Sequence, residues 1–314
     1  MLLPRHHPDF PALLRRAPDP PRVLHVAGDP LLLWHPAVAI VGSRSPSAAG
    51  ADHAFAFARS LARAGFCIVS GLAAGIDAAA HHGALAAGGR TIAVLGCGVD
   101  IAYPPRNRDL HAEITAKGAV VSEYPEGTSA RPFQFPRRNR IVASLALGTV
   151  VIEAALRSGA LITARLAAEA GREVFAVPGS IHNPKARGCH RLIREGASLI
   201  EGPDEIIAAL APLAQSLADS LRGRLEENAG REARSPSPPT SNAMEGPMGT
   251  ALPAPICGDP NYQRLWKALG HDPTGMDALA ARTGLTAAEL SSMLLIMELD
   301  GQVAVEHGRY SRKR

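Results

Sequence analysis

The sequence predicts an α/β fold: a mostly parallel sheet with helices on both faces, followed by a small C-terminal winged-helix domain. Three observations predict it. Short apolar β-type runs alternate with Ala-rich helical stretches from Ala37 to about Leu210, which is the pattern of βαβ units and a buried parallel sheet. Small or polar residues follow almost every run, where an open α/β sheet keeps its ligand crevice. Beyond Leu210 the texture turns to Pro, Ser, Gly and Glu, then returns to three helical patterns and two short strands, the order of a winged helix.

The elements are read in chain order. Residues 1–36 form a short N-terminal segment that contributes one strand, Val23–Val26. Residues 37–212 hold the main domain. Its strands are expected at Val38–Val41, Phe66–Val69, Thr91–Leu95, Ala119–Val121, Thr149–Ile152, Glu173–Val177 and Ser198–Ile200. Helices are expected between them, as at Ala48–Ala64, Asp77–Ala87 and Leu161–Ala170. Residues 213–257, with Ser235-Pro236-Ser237-Pro238-Pro239 inside, bury little apolar surface and read as a flexible linker. In 258–314 the helices are Tyr262–Leu269, Met276–Thr283 and Thr286–Leu299, and the strands Gly301–Glu306 and Arg309–Arg312.

Composition bounds the function. A chain of 314 residues, 46% hydrophobic, is enough for one large domain and a satellite. No apolar run reaches membrane-spanning length, and Met1 to Arg15 has no signal-peptide core, so a cytosolic protein without a membrane partner is expected. Cys67, Cys97, Cys189 and Cys257 are scattered without a CxxC pair, and no histidine spacing suits a metal, so neither a metal nor a cofactor is expected. The net charge of +4 is only a weak pointer to nucleic acid. Local clusters of Arg carry the argument instead.

The first cluster is the turn Gly42-Ser43-Arg44-Ser45-Pro46-Ser47. It is neither GxGxxG nor a Walker A loop, and Ser70-Gly71 stands where a ribose-binding acid would end the second strand, which disfavours a dinucleotide. What is left is a helix start beside Arg44: a phosphate-sized anion site or an ordinary surface turn. The second cluster is Arg131-Pro132-Phe133-Gln134-Phe135-Pro136-Arg137-Arg138-Asn139-Arg140. Arg follows phosphates and Phe offers a face to an unstacked base, a pairing that favours single strands over duplex. Phe133 and Phe135 could equally pack inward. The Arg residues repel one another unless an anion or carboxylates offset them. The third cluster sets Ser158, Gly159 and Thr163 at a helix start, after Glu153, which is either catalytic or the holder of a neighbouring Arg, the commoner role. No catalytic constellation is evident.

In their order and number these blocks resemble the DprA/Smf family. The resemblance rests on Gly42-Ser43-Arg44, Ser70-Gly71-Leu72-Ala73-Ala74-Gly75-Ile76-Asp77, Gly96-Cys97-Gly98-Val99-Asp100 with Tyr103-Pro104, and Ser122-Glu123-Tyr124-Pro125. It rests also on Phe135-Pro136-Arg137-Arg138-Asn139-Arg140-Ile141, Ser158-Gly159-Ala160-Leu161-Ile162-Thr163-Ala164 and Val177-Pro178-Gly179. It implies an extended Rossmann-like domain in a non-enzymatic, dimeric single-stranded-DNA-binding protein that protects incoming strands in natural transformation and loads the RecA recombinase. Carried over by position, the DNA groove would comprise Gly42, Ser43, Arg44, Gly71, Phe135, Arg137, Arg138, Asn139 and Arg140, with Ser158, Gly159 and Thr163 as supporting contacts.

The chain departs from the family in two places. The family's helical N-terminal domain is expected to be absent or a remnant, since the first Rossmann strand comes by Val38. The would-be recognition helix, Thr286 to Leu299, has no Lys or Arg but has Glu289 and Glu298, so DNA contact there would fall to the basic tail Arg309–Arg314, or the module binds protein. The competing reading is a LOG-like nucleotide-phosphoribohydrolase on a related sheet. It needs a Pro-Gly-Gly-x-Gly-Thr phosphate loop, whereas Pro178-Gly179 continues here as Ser180-Ile181-His182.

Overall fold

Nine strands form one sheet in the order β1-β2-β6-β5-β4-β3-β7-β8-β9. They are β1 (Leu2–Pro4), β2 (Val23–Gly28), β3 (Ala37–Val41), β4 (Cys67–Ser70), β5 (Thr91–Leu95), β6 (Ala119–Ser122), β7 (Gly148–Val151), β8 (Glu173–Ala176) and β9 (Ser198–Leu199). The computed structural model describes residues 1–232 and, beyond them, 260–270, 273–286, 290, 293–294, 297, 303–306 and 309–312. From β6 through β9 all neighbours run parallel. All seven expected strands form, and the fold is the Rossmann-like one that the family resemblance implies.

Helices cover both faces because the central strands are apolar on both. Along β3, Ala37, Ala39 and Val41 turn to one core, while Val38 and Ile40 turn to the other, the two-residue period of a strand. The first core is closed by α1 (Ala12–Arg15), α5 (Gln134–Leu145), α6 (Gly159–Glu169) and α7 (Arg187–Arg194) through Leu14, Ile141, Leu145, Ala164 and Leu192. The opposite face is closed by α2 (Ala48–Arg63), α3 (Ile76–Ala86), α4 (Arg108–Lys117) and α8 (Pro203–Glu232), through Phe57, Leu61, Ile76, Ile114 and Leu210.

Two differences from the sequence reading concern the ends of this domain. The N-terminal segment does more than add Val23–Val26. β2 pairs antiparallel with β6, and β1 antiparallel with β2 at the sheet edge, Leu3, Phe10, Leu14 and Leu24 are fully buried in the first core, and Trp34 Nε1 donates to Asp9 O at 2.9 Å. Those apolar residues follow no helix or strand period, so they leave no pattern to read. At the other end, α8 passes through the expected boundary at 212 and continues to Glu232. Pro212 lies inside it, where an interior proline removes one helical hydrogen bond. Residues 233–257 of the expected linker lie outside the described residues.

The C-terminal module has α9 (Pro260–Ala268), α10 (Met276–Thr283) and an antiparallel sheet of β10 (Thr274–Gly275), β11 (Val303–Glu306) and β12 (Arg309–Arg312), ordered β10-β12-β11. The expected helix Thr286–Leu299 lies largely outside the described residues. Its described members Leu290, Met293, Leu294 and Met297 are buried with Leu265 and Leu279, and their spacing is that of one helical stripe.

Candidate nucleic-acid interface

The strand order reverses beside β3. The chain runs outward through β4, β5 and β6, then returns to place β7 on the other side of β3. In an open α/β sheet the crevice lies outside the carboxyl ends at such a point. A cavity of about 240 Å³ opens there. Its walls are Gly42 and Arg44 after β3, Gly71 and Asp77 around the β4–α3 turn, Phe135, Arg138 and Asn139 on α5, and Ser158, Gly159 and Thr163 at the start of α6. A second hollow of about 200 Å³ continues past Phe135 to Tyr103, Pro104 and Arg106. The structure thus brings nine of the twelve expected site residues into the walls of one cleft, while Ser43, Arg137 and Arg140 are not among them.

Two glycines are required by close approach. A Cβ on Gly42 would lie 2.7 Å from Ile76 Cγ1 and 2.8 Å from Glu153 O, and one on Gly71 would collide with the Arg138 guanidinium. Ser43 lies behind the wall: its N–H donates to Glu153 O at 2.7 Å, its carbonyl accepts from Ile76 N at 3.1 Å, and its hydroxyl accepts from Ser45 N at 3.2 Å. Ser158 caps α6, its Oγ accepting from Ala160 N at 3.3 Å. The positive end of α6 therefore faces the cavity.

The Arg137–Arg140 run is split by helical geometry. All four residues lie on α5, and successive residues on a helix turn by about 100°, so they cannot share one direction. Arg138 turns inward and is 5% exposed. Its Nη1 donates to Gly71 O at 2.6 Å and to Val94 O, and its Nε to Asn139 Oδ1 at 3.2 Å. Burial lowers its pKa, an effect opposed by Asp77. Burial likewise raises the pKa of Asp77, opposed by Arg138 and by the Gly71 and Ala73 N–H groups that Asp77 accepts. Arg138 is thus first a clamp between β4, β5 and α5, and only its rim reaches the cavity.

Arg140 departs furthest from the expectation. It is held by Glu123 at 2.5 Å and by Asp19 at 2.7 Å and does not line the cleft. Arg137 is exposed and lies 3.4 Å from the other oxygen of Glu123. Carboxylates, rather than a bound anion, offset this pair. Asn139 points toward α6, its Nδ2 donating to Gly159 O at 3.4 Å.

Arg44 is the contrasting cation. It is exposed and makes no ion pair with a carboxylate among the described residues. Its guanidinium lies over the half-buried Phe135 ring, 5.7 Å from the centroid, within the range of a cation–π contact. Phe135 also meets Tyr103, with centroids 5.2 Å apart and planes tilted by 31°. The alternatives for the two Phe residues resolve differently. Phe133 is 63% exposed, while Phe135 rests on Gly96 and shows part of its ring to the cleft.

Glu153 does not hold a neighbouring Arg among the described residues. It is buried, accepts from Ser47 N at 2.8 Å, Ser47 Oγ at 2.6 Å and Asn183 Nδ2 at 2.9 Å, and so fixes the start of α2. Sequence reasoning missed Tyr103, Arg106 and the offsetting Glu123. The Tyr103-Pro104 pair was legible as a block, but the Pro105–Asn107 turn that brings it beside Phe135 is pinned by Asn107 Nδ2 on Leu72 O at 2.9 Å, a contact across 35 residues. Among the described residues no group of three or more His, Cys, Asp or Glu could hold a metal, and no helix is long and apolar enough to cross a membrane. Burial pushes the thiol pKa of Cys67 and Cys189 to about 12 and that of Cys97 to about 11, so these thiols are inert packing groups.

Comparison with known proteins agrees with this architecture. Residues 1–211 match the family model of DNA recombination-mediator protein A, and residues 233–309 that of the DprA winged helix domain. Protein Smf of Synechocystis sp. is 39% identical over 281 residues, covering 88% of this chain and 70% of the relative. The X-ray structure of DNA processing protein A from Streptococcus pneumoniae is 44% identical, with a TM-score of 0.65 over 66% of this chain and 73% of that one. A structure described for the single-stranded DNA binding mode of DNA processing protein A from Helicobacter pylori is 33% identical, with a TM-score of 0.60 over 65% of this chain and 93% of that one. With the sheet order, the switch-point cleft and both domain models in agreement, the chain belongs to the DNA recombination-mediator protein A family, the DprA/Smf proteins.

Proposed function

We propose that this protein binds single-stranded DNA in the cleft and does no chemistry on it. The observation that carries the reading is Arg44, a cation without a carboxylate partner among the described residues, lying over Phe135 at the carboxyl edge of the sheet. Arg44 and the N-terminus of α6, with Ser158, Gly159 and Thr163, offer contacts to phosphates. Phe135 and Tyr103 offer faces to unstacked bases. Gly42 and Gly71 let the strand approach the backbone, while Arg138 and Asn139 form the floor. The H. pylori relative, whose single-stranded DNA binding mode has been described, supports this assignment.

The biological role we propose, supported by family membership, is protection of incoming single strands in natural transformation, and delivery of RecA onto them, by a homodimer in the cytosol. The test is competition between oligo-dT and duplex of equal length, with salt titrated. The reading expects oligo-dT to win and its affinity to fall with salt. Release of base from a nucleoside monophosphate would instead support the phosphoribohydrolase reading. RecA delivery is tested by RecA filament formation on strands already covered by a single-strand-binding protein, with and without this protein.

A further inference from the structure

The carboxyl edge of the sheet continues beyond the cleft. One strand past β7, the β8–α7 loop presents Ile181, which is 74% exposed, together with exposed Arg187 and half-buried Lys185. The neighbouring β7–α6 turn presents exposed Arg157 and Leu156, the latter 48% exposed. Among the described residues no carboxylate forms an ion pair with Arg157, Lys185 or Arg187, and the first turn of α7 contains no acidic residue. Their charge is therefore not offset locally, in contrast to Arg137 and Arg140. A surface that joins uncompensated cations to exposed aliphatic groups fits a polyanion with apolar faces.

This loop is fixed in register with the cleft. The carboxylate of Glu153 joins Ser47, at the start of α2, to Asn183 in the loop. Ala154 N donates to Lys185 O at 2.6 Å, and Gly188 N to Ala154 O at 2.7 Å. Ser43 N, one residue from Arg44, donates to Glu153 O. The turns after β3, β7 and β8 thus form one hydrogen-bonded ledge. β8 lies two positions from β3 in the sheet, about 10 Å at the usual strand spacing, a distance that a few nucleotides of extended single strand cover.

We propose that a single strand lying in the cleft continues across β7 onto the β8–α7 loop, where Arg157, Lys185 and Arg187 receive phosphates and Ile181 an unstacked base. This rests on the cleft being a single-strand site and extends it by a second contact patch. The patch acts only on strands long enough to reach it.

The test uses the full chain and fluorescent oligo-dT of about 16 and about 4 nucleotides, the upper and lower range of single-strand site sizes for one binding domain. A Lys185→Ala/Arg187→Ala double variant is expected to bind the longer strand more weakly. Its slope of log K against log salt should flatten by about 1.4, two phosphate contacts at about 0.7 each. Affinity for the short strand, which the cleft alone accommodates, stays at the wild-type value. Lys185→Glu/Arg187→Glu weakens long-strand binding further, and Ile181→Ser weakens it without changing the slope. The three side chains changed make no hydrogen bond or ion pair among the described residues, so thermal stability is expected to stay unchanged. Wild-type affinity and slope for the longer strand in both double variants would overturn the inference and leave the cleft reading intact. Failure of the wild-type protein to bind either strand would overturn both.

Discussion

The guanidinium of Arg44 lies over the Phe135 ring, 5.7 Å from its centroid, and the Tyr103 ring meets Phe135 at 5.2 Å. Three side chains from three separate stretches of the chain, at residues 44, 103 and 135, thus converge at the mouth of the cleft. The arrangement separates two contributions that binding measurements can tell apart. A cation contributes through phosphate neutralisation and depends on salt, while a ring contributes through stacking and does not.

Arg44→Ala is therefore expected to weaken oligo-dT binding and to flatten the salt slope by about 0.7, the loss of one phosphate contact on a single strand. Phe135→Leu keeps an apolar side chain over Gly96 and should cost about 1–3 kcal/mol of affinity, the range for loss of one stacked base, at unchanged slope. Fluorescence anisotropy at several salt concentrations reads both quantities. The pattern fails if the Phe135 variant changes the slope, or if the Arg44 variant does not.

Arg138 and Arg140 should show in stability before they show in binding. Arg138→Met leaves Gly71 O and Val94 O without their donor and Asp77 without its opposing charge. Removing one partner of a buried charged network costs about 3–5 kcal/mol, so the urea midpoint should drop sharply. Arg140→Ala removes the links to Glu123 and Asp19 and should keep affinity for oligo-dT near the wild-type value. A large loss of affinity in a folded Arg140→Ala protein would return that side chain to the DNA site.

These two residues also mark how far the sequence could be read. That Arg137, Arg138, Asn139 and Arg140 lie near a functional edge was legible from composition and from the block around them. Their directions were not, because direction depends on the phase of α5, and the phase depends on where the helix starts. Glu123 and Asp19 reach Arg140 from 17 and 121 residues away, contacts set by β6 and the N-terminal segment rather than by any local pattern. The central strands were legible for the opposite reason: each is a short apolar run bounded by its own turn. β1 was not legible, since three residues at the sheet edge carry no period. The partnership of Tyr103 with Phe135 likewise depends on how the β5–α4 connection folds back on β4.

Stability should fall with acid through His81. The ring is fully buried, and burial pushes its pKa down to about 3, with His82 and Arg138 adding to the effect. Thr91 Oγ1 donates its only proton to Ile68 O at 2.7 Å, so it accepts from His81 Nδ1 at 2.7 Å, and Nε2 is left buried without a partner. The folded state therefore holds this histidine neutral where the unfolded chain, near pKa 6.5, protonates it. The contribution to stability is complete above the unfolded value and is lost as pH falls from about 6.5 toward 3. Between pH 7.5 and pH 5 the loss from this one group is about 2 kcal/mol. Urea unfolding at the two pH values, compared with His81→Leu, isolates it: the variant should lose that much less on acidification. An identical pH dependence in both proteins would show that His81 titrates alike folded and unfolded.

Glu153 provides the strictest separation between a catalytic and a structural carboxylate. Its oxygens are occupied by Ser47 N, Ser47 Oγ and Asn183 Nδ2, and Gly50 leaves it room, since a Cβ there would lie 2.6 Å from the carboxyl carbon. Glu153→Ala would leave the first turn of α2 and the Asn183 amide without their acceptor. Hydrogen bonds to a charged group contribute about 1.5–3 kcal/mol each, so a large drop in thermal midpoint is expected, together with weaker oligo-dT binding as the turns carrying Arg44 and Lys185 lose their common anchor. Glu153→Gln keeps the size and one acceptor oxygen and should recover part of both. Gly50→Ala intrudes on the same carboxylate from the other side, so it should reproduce the Glu153→Ala phenotype with both polar partners still present. A Gly50→Ala protein with wild-type stability and binding would mean that the ledge does not depend on where this carboxylate sits.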